Sequence, residues 1–423
     1  MAGKVQLAVT GVQDELLTGD PQTTYFLKSF KRHTKFAVDI KDNQFDGDVN
    51  FGSSLFCIIP RKGDLIKTIF IKIKLSELST ANSHGVGYTD SICSALIDYA
   101  DLVIGGQTIE RLNGEYIEIY NELFVSNSQQ EALKYLYGKT DSRNGLGPAS
   151  GTVPGDYGTY PRTFTFPLPF YFFRNPSLAI PLHSINKQEV EVKIKLRNLN
   201  EVIVAPPSAV GVPTTTGTIE SLSCPVEFVY ISDVEKDFMS NKPINYIIEQ
   251  LQMSRVTINP SETFKQVALK FVNPVKEMYF VIQDKDKVSS NILTGNDWYN
   301  YSNSQKVTSP FNEQLDRLSL DFNGENRINN DIADPLYLRS AQSMLHHTRT
   351  PTKKFYLYSF GLEPENHYPT GQVNMSRILN KILKVTTTSS TKERELRVYA
   401  KSINILRIEN GLAGILFTDN NFI

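Results

Sequence analysis

The sequence predicts an all-β chain assembled from two copies of one β-domain, with short helices confined to the loops. Three observations carry that expectation. Apolar and polar residues alternate with period two in several segments, the pattern of an antiparallel strand with one buried face. The chain holds 24 Phe and 20 Tyr punctuated by 21 Pro and 25 Gly, a balance that favours short strands joined by turns. Finally, three stretches recur in the same order in both halves. Ile66–Ile73 resembles Val275–Ile282, Leu102–Gln107 resembles Leu320–Glu325, and Val229-Tyr230 is matched by Val398-Tyr399. The two copies join near Asp233–Tyr246.

In chain order, the front, Gly11–Phe36, shows neither the regions of a secretion signal nor the long period of an amphipathic helix. Thr18-Gly19-Asp20-Pro21 reads as a turn, and the run from Tyr25-Phe26 to Phe30 leads into the basic knot Lys31-Arg32-His33. Ile69, Ile71, Ile73 and Leu75 share one face of a strand, with Lys72 and Lys74 on the other. Tyr116, Ile119, Tyr120 and Leu123 fall at helical spacing within 114–137, and Asn127 or Ser128 is placed to cap a second short helix ending at Gly138. Residues 141–161 form a loop rich in Gly, Pro and Ser. Val190, Val192, Ile194 and Leu196 again oppose Glu191, Lys193, Lys195 and Arg197. Further strands are expected at 266–272, 277–283, 317–322, 354–360 and 396–408, and Asn323-Gly324 marks a hairpin.

Composition excludes several functions. Lys and Arg number 44 against 45 Asp and Glu, a net charge of −1, with no long basic block. A chain that neutralises phosphates concentrates positive charge, so direct nucleic-acid binding is not expected. No apolar run is long enough to cross a bilayer, so a soluble chain is expected. Cys57, Cys93 and Cys224 lack the C-x-x-C spacing of a zinc or redox site and read as small buried apolar residues of a chain kept reduced. Phosphate-loop, dinucleotide, zinc-protease and serine-elbow motifs are absent, so no cofactor, metal or catalytic residue is assigned. His346-His347, taken as strand neighbours, point to opposite faces and read as a hydrogen-bonded loop pair rather than metal ligands. Glu363 and Glu365 around Pro364, and Asp331 and Asp334 beside Pro335, have the chemistry of a hydrolytic acid–base pair but read as solvated turn formers. Trp298, the only tryptophan, lies in a Tyr/Asn-rich loop that fits sugar stacking, loop anchoring or a subunit contact. Asn300 and Asn374 open N-x-[ST] triplets and are N-glycosylation candidates only if the chain meets a glycosylating enzyme.

Longer stretches carry a resemblance. They are "GVQDELLTGDP" (11–21) with the later Arg32-His33-Thr34-Lys35-Phe36, "RKGDLI" (61–66), "IGGQTIERLNGEYIE" (104–118), "FPLPFYFFRNPSLAIPL" (166–182) and "YIIEQLQ" (246–252). The second half adds "VNPVKEMYFVIQ" (272–283), "HHTRTP" (346–351), "FGLEPENHYPTGQVNMSRILN" (360–380) and "LRVYAKSINILRIENGLAG" (396–414). In this order they resemble the major capsid proteins of nucleocytoplasmic large DNA viruses, especially the algal-virus, phycodnavirus-like type. Ile408-Glu409-Asn410 and Leu412 depart from relatives richer in Met, Ser and Gly.

The resemblance implies a structural protein, not an enzyme, made of two tandem eight-stranded jelly rolls (a double jelly roll). It divides the chain into an arm at 1–24, a first jelly roll at 25–235, a linker at 236–245 and a second jelly roll at 246–423. It implies a homotrimer forming a pseudo-hexagonal capsomer that tiles an icosahedral shell, assembled in the host cytoplasm and residing in the virion. Further partners implied are minor capsid proteins, penton proteins and the internal viral membrane side. Asp14, Leu17, Thr18 and Pro21 are then assembly-arm candidates beneath the barrels. The loops 141–161 and 296–305, with Trp298 and Tyr299, are outer-loop candidates. Two alternatives stay open: a double β-sandwich glycan-acting hydrolase with a deep cleft, and a lectin-like host-attachment module using the Trp298 loop.

Overall fold

The computed structural model describes residues 2–28, 30–80, 86–139, 162–205, 215–303 and 313–417. It divides into two units, Met1–Phe36 and Ala37–Ile423. The first unit departs from expectation by forming two short helices, α1 (Ala2–Ala8) and α2 (Val12–Thr18), which bury none of their residues. Local hydrogen bonds explain α2: Gly11 N–H donates to Asp14 Oδ2 at 3.0 Å, and the Thr18 hydroxyl donates to Asp14 O at 2.7 Å. The helix ends at Thr18, and Asp20 adopts φ +48° in the turn that follows.

Two β-sandwiches make up the second unit. In the first half the strands are β1 (Phe36–Gln44), β2 (Ser54–Ile58), β3 (Leu65–Leu75), β4 (Ile97–Ile104), β5 (Gln107–Asn113), β6 (Arg162–Pro167), β7 (Val190–Leu196) and β8 (Ile219–Ile231). Those of the second half are β9 (Ile244–Ile258), β10 (Phe264–Ala268), β11 (Pro274–Asp284), β12 (Leu315–Phe322), β13 (Glu325–Ile328), β14 (Tyr356–Ser359), β15 (Lys381–Thr387) and β16 (Arg394–Glu409). The first half pairs as β1-β8-β3-β6 and β2-β7-β4-β5; the second as β9-β16-β11-β14 and β10-β15-β12-β13. Adding eight to every label of the first half reproduces the second; shorter flanking strands, such as Leu412–Ile415 beside β16, lie outside this repeat. Each half is a jelly roll, and the three sequence echoes fall on equivalent strands: β3 with β11, β4–β5 with β12–β13, and β8 with β16.

Local chemistry accounts for these elements. On β7, Val190, Val192, Ile194 and Leu196 are buried while the intervening charged residues are not. The hairpin turns match between halves: Gly105-Gly106 take φ +56° and +81°, and Asn323-Gly324 take +52° and +93°, the left-handed pair that a two-residue hairpin requires. The helical stretch forms α4 (Gly114–Leu123) and α5 (Gln130–Tyr137), the latter ended by Gly138 at φ +71°. Strand β10 stops at Ala268, short of the expected 272, and Asn273 at φ +64° turns the chain toward β11. A helix, Asp233–Ser240, occupies the junction. The loop 141–161 lies outside the described residues. All three cysteines are buried and form no disulfide. Among the described residues no helix is long and apolar enough to cross a membrane.

One strand breaks the alternation in an informative way. In β11 every residue from Val275 to Asp284 is buried. Met278, Phe280 and Ile282 enter the core of the second sandwich, whereas Tyr279 and Val281 join the core that runs into the first half. The outer face of sheet β9-β16-β11-β14 is therefore covered by the other sandwich.

Leu320, wholly buried on β12, tests the packing. Leu320→Ala is expected to lower unfolding free energy by about 2–5 kcal/mol. Leu379→Ala, at an 89% exposed position, should stay within about 0.5 kcal/mol of wild type by denaturant titration.

Candidate functional site

The seam between the two sandwiches concentrates the charged residues that burial would otherwise forbid. Helix α4 begins at Gly114, where a Cβ would lie 2.0 Å from the carbonyl oxygen of Ser94. Only glycine lets the helix start against α3 (Ile92–Leu96). From there Glu115, Glu118 and Glu122 project at spacings of three and four, one stripe of a helix, and each meets a partner from the second half. Arg397 of β16 grips Glu115 through Nε and Nη2, both at 2.7 Å, and the Tyr399 hydroxyl donates to the same carboxylate. Lys353 pairs with Glu118 and lies 3.6 Å from Asp90. Glu122 pairs with Lys139 of its own half and accepts from Thr352 N–H and hydroxyl, both at 2.8 Å, with Arg349 at 3.5 Å. Burial pushes the Glu122 carboxyl up, but Lys139, Lys353 and Arg349 outweigh it and hold it at about 2.

A second cluster is an alternating chain of charges. Arg174 of the first half lies 3.3 Å from Glu365, which lies 3.2 Å from His347 Nδ1; His347 Nε2 lies 3.0 Å from Glu277. Glu277 is 3.5 Å from Lys401, which is 2.7 Å from Glu249, itself 2.5 Å from Lys276. The register explains part of this, because Glu277 and Lys401 are direct cross-strand partners on β11 and β16. Phe124, just beyond α4, packs its ring among the cations: Lys401 at 4.7 Å, Arg174 at 4.8 Å and the His347 ring edge-on at 5.3 Å. Burial pushes the Glu277 carboxyl up, yet His347 and Lys401 bring it down to about 2.

A loop of the second half closes the other end of the seam. The Asn296 amide donates to the carbonyls of Asn200 (2.7 Å) and Ile203 (2.6 Å), and Trp298 Nε1 donates to Glu201 O at 2.7 Å. The Arg197 guanidinium lies 4.0 Å over the Trp298 ring. The Tyr299 hydroxyl reaches Gly114 O at 3.4 Å.

These contacts correct several sequence expectations. Partly buried Trp298 and buried Tyr299 anchor a loop against the other half; residues 304–305 lie outside the described residues. Asn300 is fully buried, its Oδ1 accepting from Ser302 N–H and hydroxyl, so the folded chain cannot offer it to a modifying enzyme. Asn374 is exposed. Glu365 is no solvated turn former: it holds His347, Thr348 and Arg174 together. Asp334 accepts from Tyr337 N–H at a helix start. His346 and His347 lie at a helix end rather than on a strand; His346 Nδ1 faces Leu362 O and only His347 enters the seam. Asp14, Leu17, Thr18 and Pro21 are exposed in the first unit. Sequence reasoning missed the α4 stripe, although Glu at 115, 118 and 122 between apolar residues was a readable signal for a buried polar face.

Two outcomes follow. Glu118→Gln alone is expected to cost about 1.5–3 kcal/mol, because buried Lys353 loses its hydrogen-bonded carboxylate and keeps Asp90 at 3.6 Å, and Glu118→Gln with Lys353→Met should recover part of it, read by denaturant titration of Trp298 fluorescence. His347 faces carboxylates from both ring nitrogens. Burial opposes its charge, but Glu277 and Glu365 raise its pKa above the ordinary value. Its contribution is therefore full below about pH 6.5 and is lost as pH rises through the raised value. The thermal midpoint should fall on the alkaline side in wild type and in His346→Asn, and His347→Asn should flatten that fall.

Comparison with known proteins agrees with this architecture. Two family models match in succession, "Major capsid protein N-terminus" over residues 24–234 and "Large eukaryotic DNA virus major capsid protein" over 235–414. The major capsid protein of Phaeocystis pouchetii virus is 28% identical, covering 99% of both chains, and that of Paramecium bursaria Chlorella virus 1 is 27% identical, covering 99% of this chain and 100% of the relative. The fold is similar to the PBCV-1 virus capsid (TM-score 0.76, 23% identity, 94% of this chain and 100% of that one). It is also similar to the Faustovirus major capsid protein (TM-score 0.72, 13% identity, 95% of each). The relatives are structural proteins and not enzymes, and the hydrolase and lectin readings find no support among them. With two jelly rolls of one strand order locked through a charged seam, the chain belongs to the major capsid proteins of large eukaryotic DNA viruses and is a structural component of the virion shell.

Proposed function

We propose that three copies of the chain form a ring with a nearly hexagonal outline, the capsomer that tiles the shell. The observation that supports it most is the repeated strand order in one polypeptide. Two similar wedges per chain allow threefold symmetry to present six similar sides, and the seam fixes the angle between them. A ring of this kind requires unlike surfaces to meet, and a stable contact buries about 2,000 Å² or more. The functional division follows the reading 1–24, 25–235, 236–245 and 246–423, with the Asp233–Ser240 helix at the joint.

The arm is the assembly segment. Val5, Leu7, Val9, Val12, Leu16 and Leu17 are all exposed, apolar surface that a partner can cover on assembly. The partners proposed are neighbouring capsomers, minor capsid and penton proteins or the internal membrane side, met during assembly in the host cytoplasm. Asn374 is the glycan-acceptor candidate that accessibility favours.

Light scattering of the full chain should give three times the 47.7 kDa chain mass. Removal of residues 1–24 should leave that trimer intact while shell formation, followed by electron microscopy, falls sharply. Unimpaired shells from the shortened chain would falsify the arm's role.

A further inference from the structure

One amine and two carboxylates meet inside the seam in an arrangement that exceeds what an ion pair needs. Lys353 of the second half, Glu118 of α4 and Asp90 just before α3 are exposed by only 1%, 1% and 6%. The Lys353 amine donates to Glu118 Oε1, and its Nζ lies 3.6 Å from Asp90 Oδ2. One carboxylate thus holds the amine in a hydrogen bond, while the second stands just beyond hydrogen-bond reach. The other oxygen of Glu118, Oε2, is buried with no hydrogen-bond partner among the described residues. The Tyr299 ring packs 4.6 Å from the amine.

The backbone around the two reacting groups is held on several sides. Thr89 N–H donates to Val202 O at 2.9 Å, its hydroxyl donates to Asn296 O at 2.6 Å, and Ser91 N–H donates to Gly138 O at 3.1 Å. Between them, Asp90 has little freedom to withdraw. Beside Lys353, Thr352 gives both its N–H and its hydroxyl to Glu122 Oε2 at 2.8 Å. Groups fixed this close react with effective concentrations that reach about 10⁵ M or more, and burial removes the water that would reverse a condensation.

We propose that Lys353 and Asp90 condense to an isopeptide bond that ties the two jelly rolls together covalently, with Glu118 carrying the proton. The ion pair of the seam is the reactant state. Glu118 takes a proton from the Lys353 ammonium and passes it to the Asp90 carboxylate. The neutral amine attacks Asp90 Cγ, a C–N bond forms, and a Cγ–O bond breaks with release of one water, which carries off both protons lost by nitrogen. Nothing is oxidised or reduced, and no co-reactant enters. Asp90 is the acceptor because Glu118 meets the amine through its N–H, whereas attack needs the nitrogen lone pair aimed at a carboxyl carbon. Burial opposes the charge of Lys353, but Glu118, Asp90 and Glu122 outweigh it and raise its pKa. Lys139, 3.9 Å from Glu118 Oε1, also favours the ionised carboxylate. Proton transfer therefore limits the rate, and the bond accumulates after folding.

Mass spectrometry of the full-length chain tests this. Folded chain, incubated warm and then denatured, should weigh one water less than its sequence requires, and digestion should release a branched peptide joining residues 90 and 353. Lys353→Arg and Asp90→Ala should keep the full mass. Glu118→Gln, with its fold checked by circular dichroism, should slow bond formation at least about a hundredfold. The wild-type mass decides by itself, so a variant that fails to fold does not shelter the proposal. A folded wild-type chain that keeps its full mass overturns it. So does water loss that persists in Lys353→Arg, or a branched peptide joining Lys353 to Glu118. Equal rates in wild type and folded Glu118→Gln overturn the proton-carrying role.

Discussion

A buried charge must find a partner, and the orientation of the two barrels depends on that constraint. Stranding one member of a buried ion pair costs about 3–5 kcal/mol, a large share of the stability of a typical domain. The three α4 carboxylates each have their own cation or hydrogen-bond donor across the seam, and a slip by one helical turn would strand all of them together. The apolar part of the seam, with Tyr279, Val281 and Leu357 joining the first core, is tolerant of small rearrangements because dispersion has no direction. The ion pairs are not. Apolar area supplies the adhesion and the charges supply the angle.

The same constraint separates two halves that share one strand order. In the second sandwich, the outward positions of β11 and β16 hold Glu277, Tyr279, Arg397, Tyr399 and Lys401, all inside the seam. In the first sandwich, the echoed positions of β3 hold Thr68, Phe70 and Lys72, and Lys72 is exposed. Its neighbours form peripheral pairs, Lys67 with Glu227 at 3.1 Å and Lys74 with Glu220 at 2.6 Å. Topology was kept through the duplication while the chemistry of the outer face diverged according to what covers it.

How much of this could be read from the sequence follows from where the signals are local. Alternation on β3 and β7, the Asn323-Gly324 turn and the Gly138 helix stop depend on neighbours a few positions away, and all were legible. The seam was not, because its contacts join residues far apart: Glu115 and Arg397 are 282 positions apart. Glu365 looked like a turn residue beside Pro364, and nothing near it announces His347 or Arg174. The stretches that carried the family resemblance nonetheless contain many of the charged seam residues, although Glu122 and Lys353 fall outside them. Glu115 and Glu118 lie in 104–118, Arg174 in 166–182, Glu249 in 246–252 and Glu277 in 272–283. His347 and Arg349 lie in 346–351, Glu365 in 360–380, and Arg397 and Lys401 in 396–414. The loop at Trp298 stayed open for the opposite reason: aromatic, amide-rich segments suit either an open binding surface or a packed anchor, and only the fold shows the anchoring contacts.

A polar seam also suits a chain whose first barrel is synthesised long before its partner. The carboxylates of α4 are well hydrated until Lys353 and Arg397 exist to meet them, so the waiting face does not invite the non-specific association that exposed apolar surface causes. Pairing then withdraws those charges from water only when geometry is complete, since a partly made network is worse than none. An entirely apolar joint would adhere earlier and in more than one orientation. For a subunit that must repeat the same angle in every copy of a closed coat, the charged joint is the one that rejects the wrong dockings.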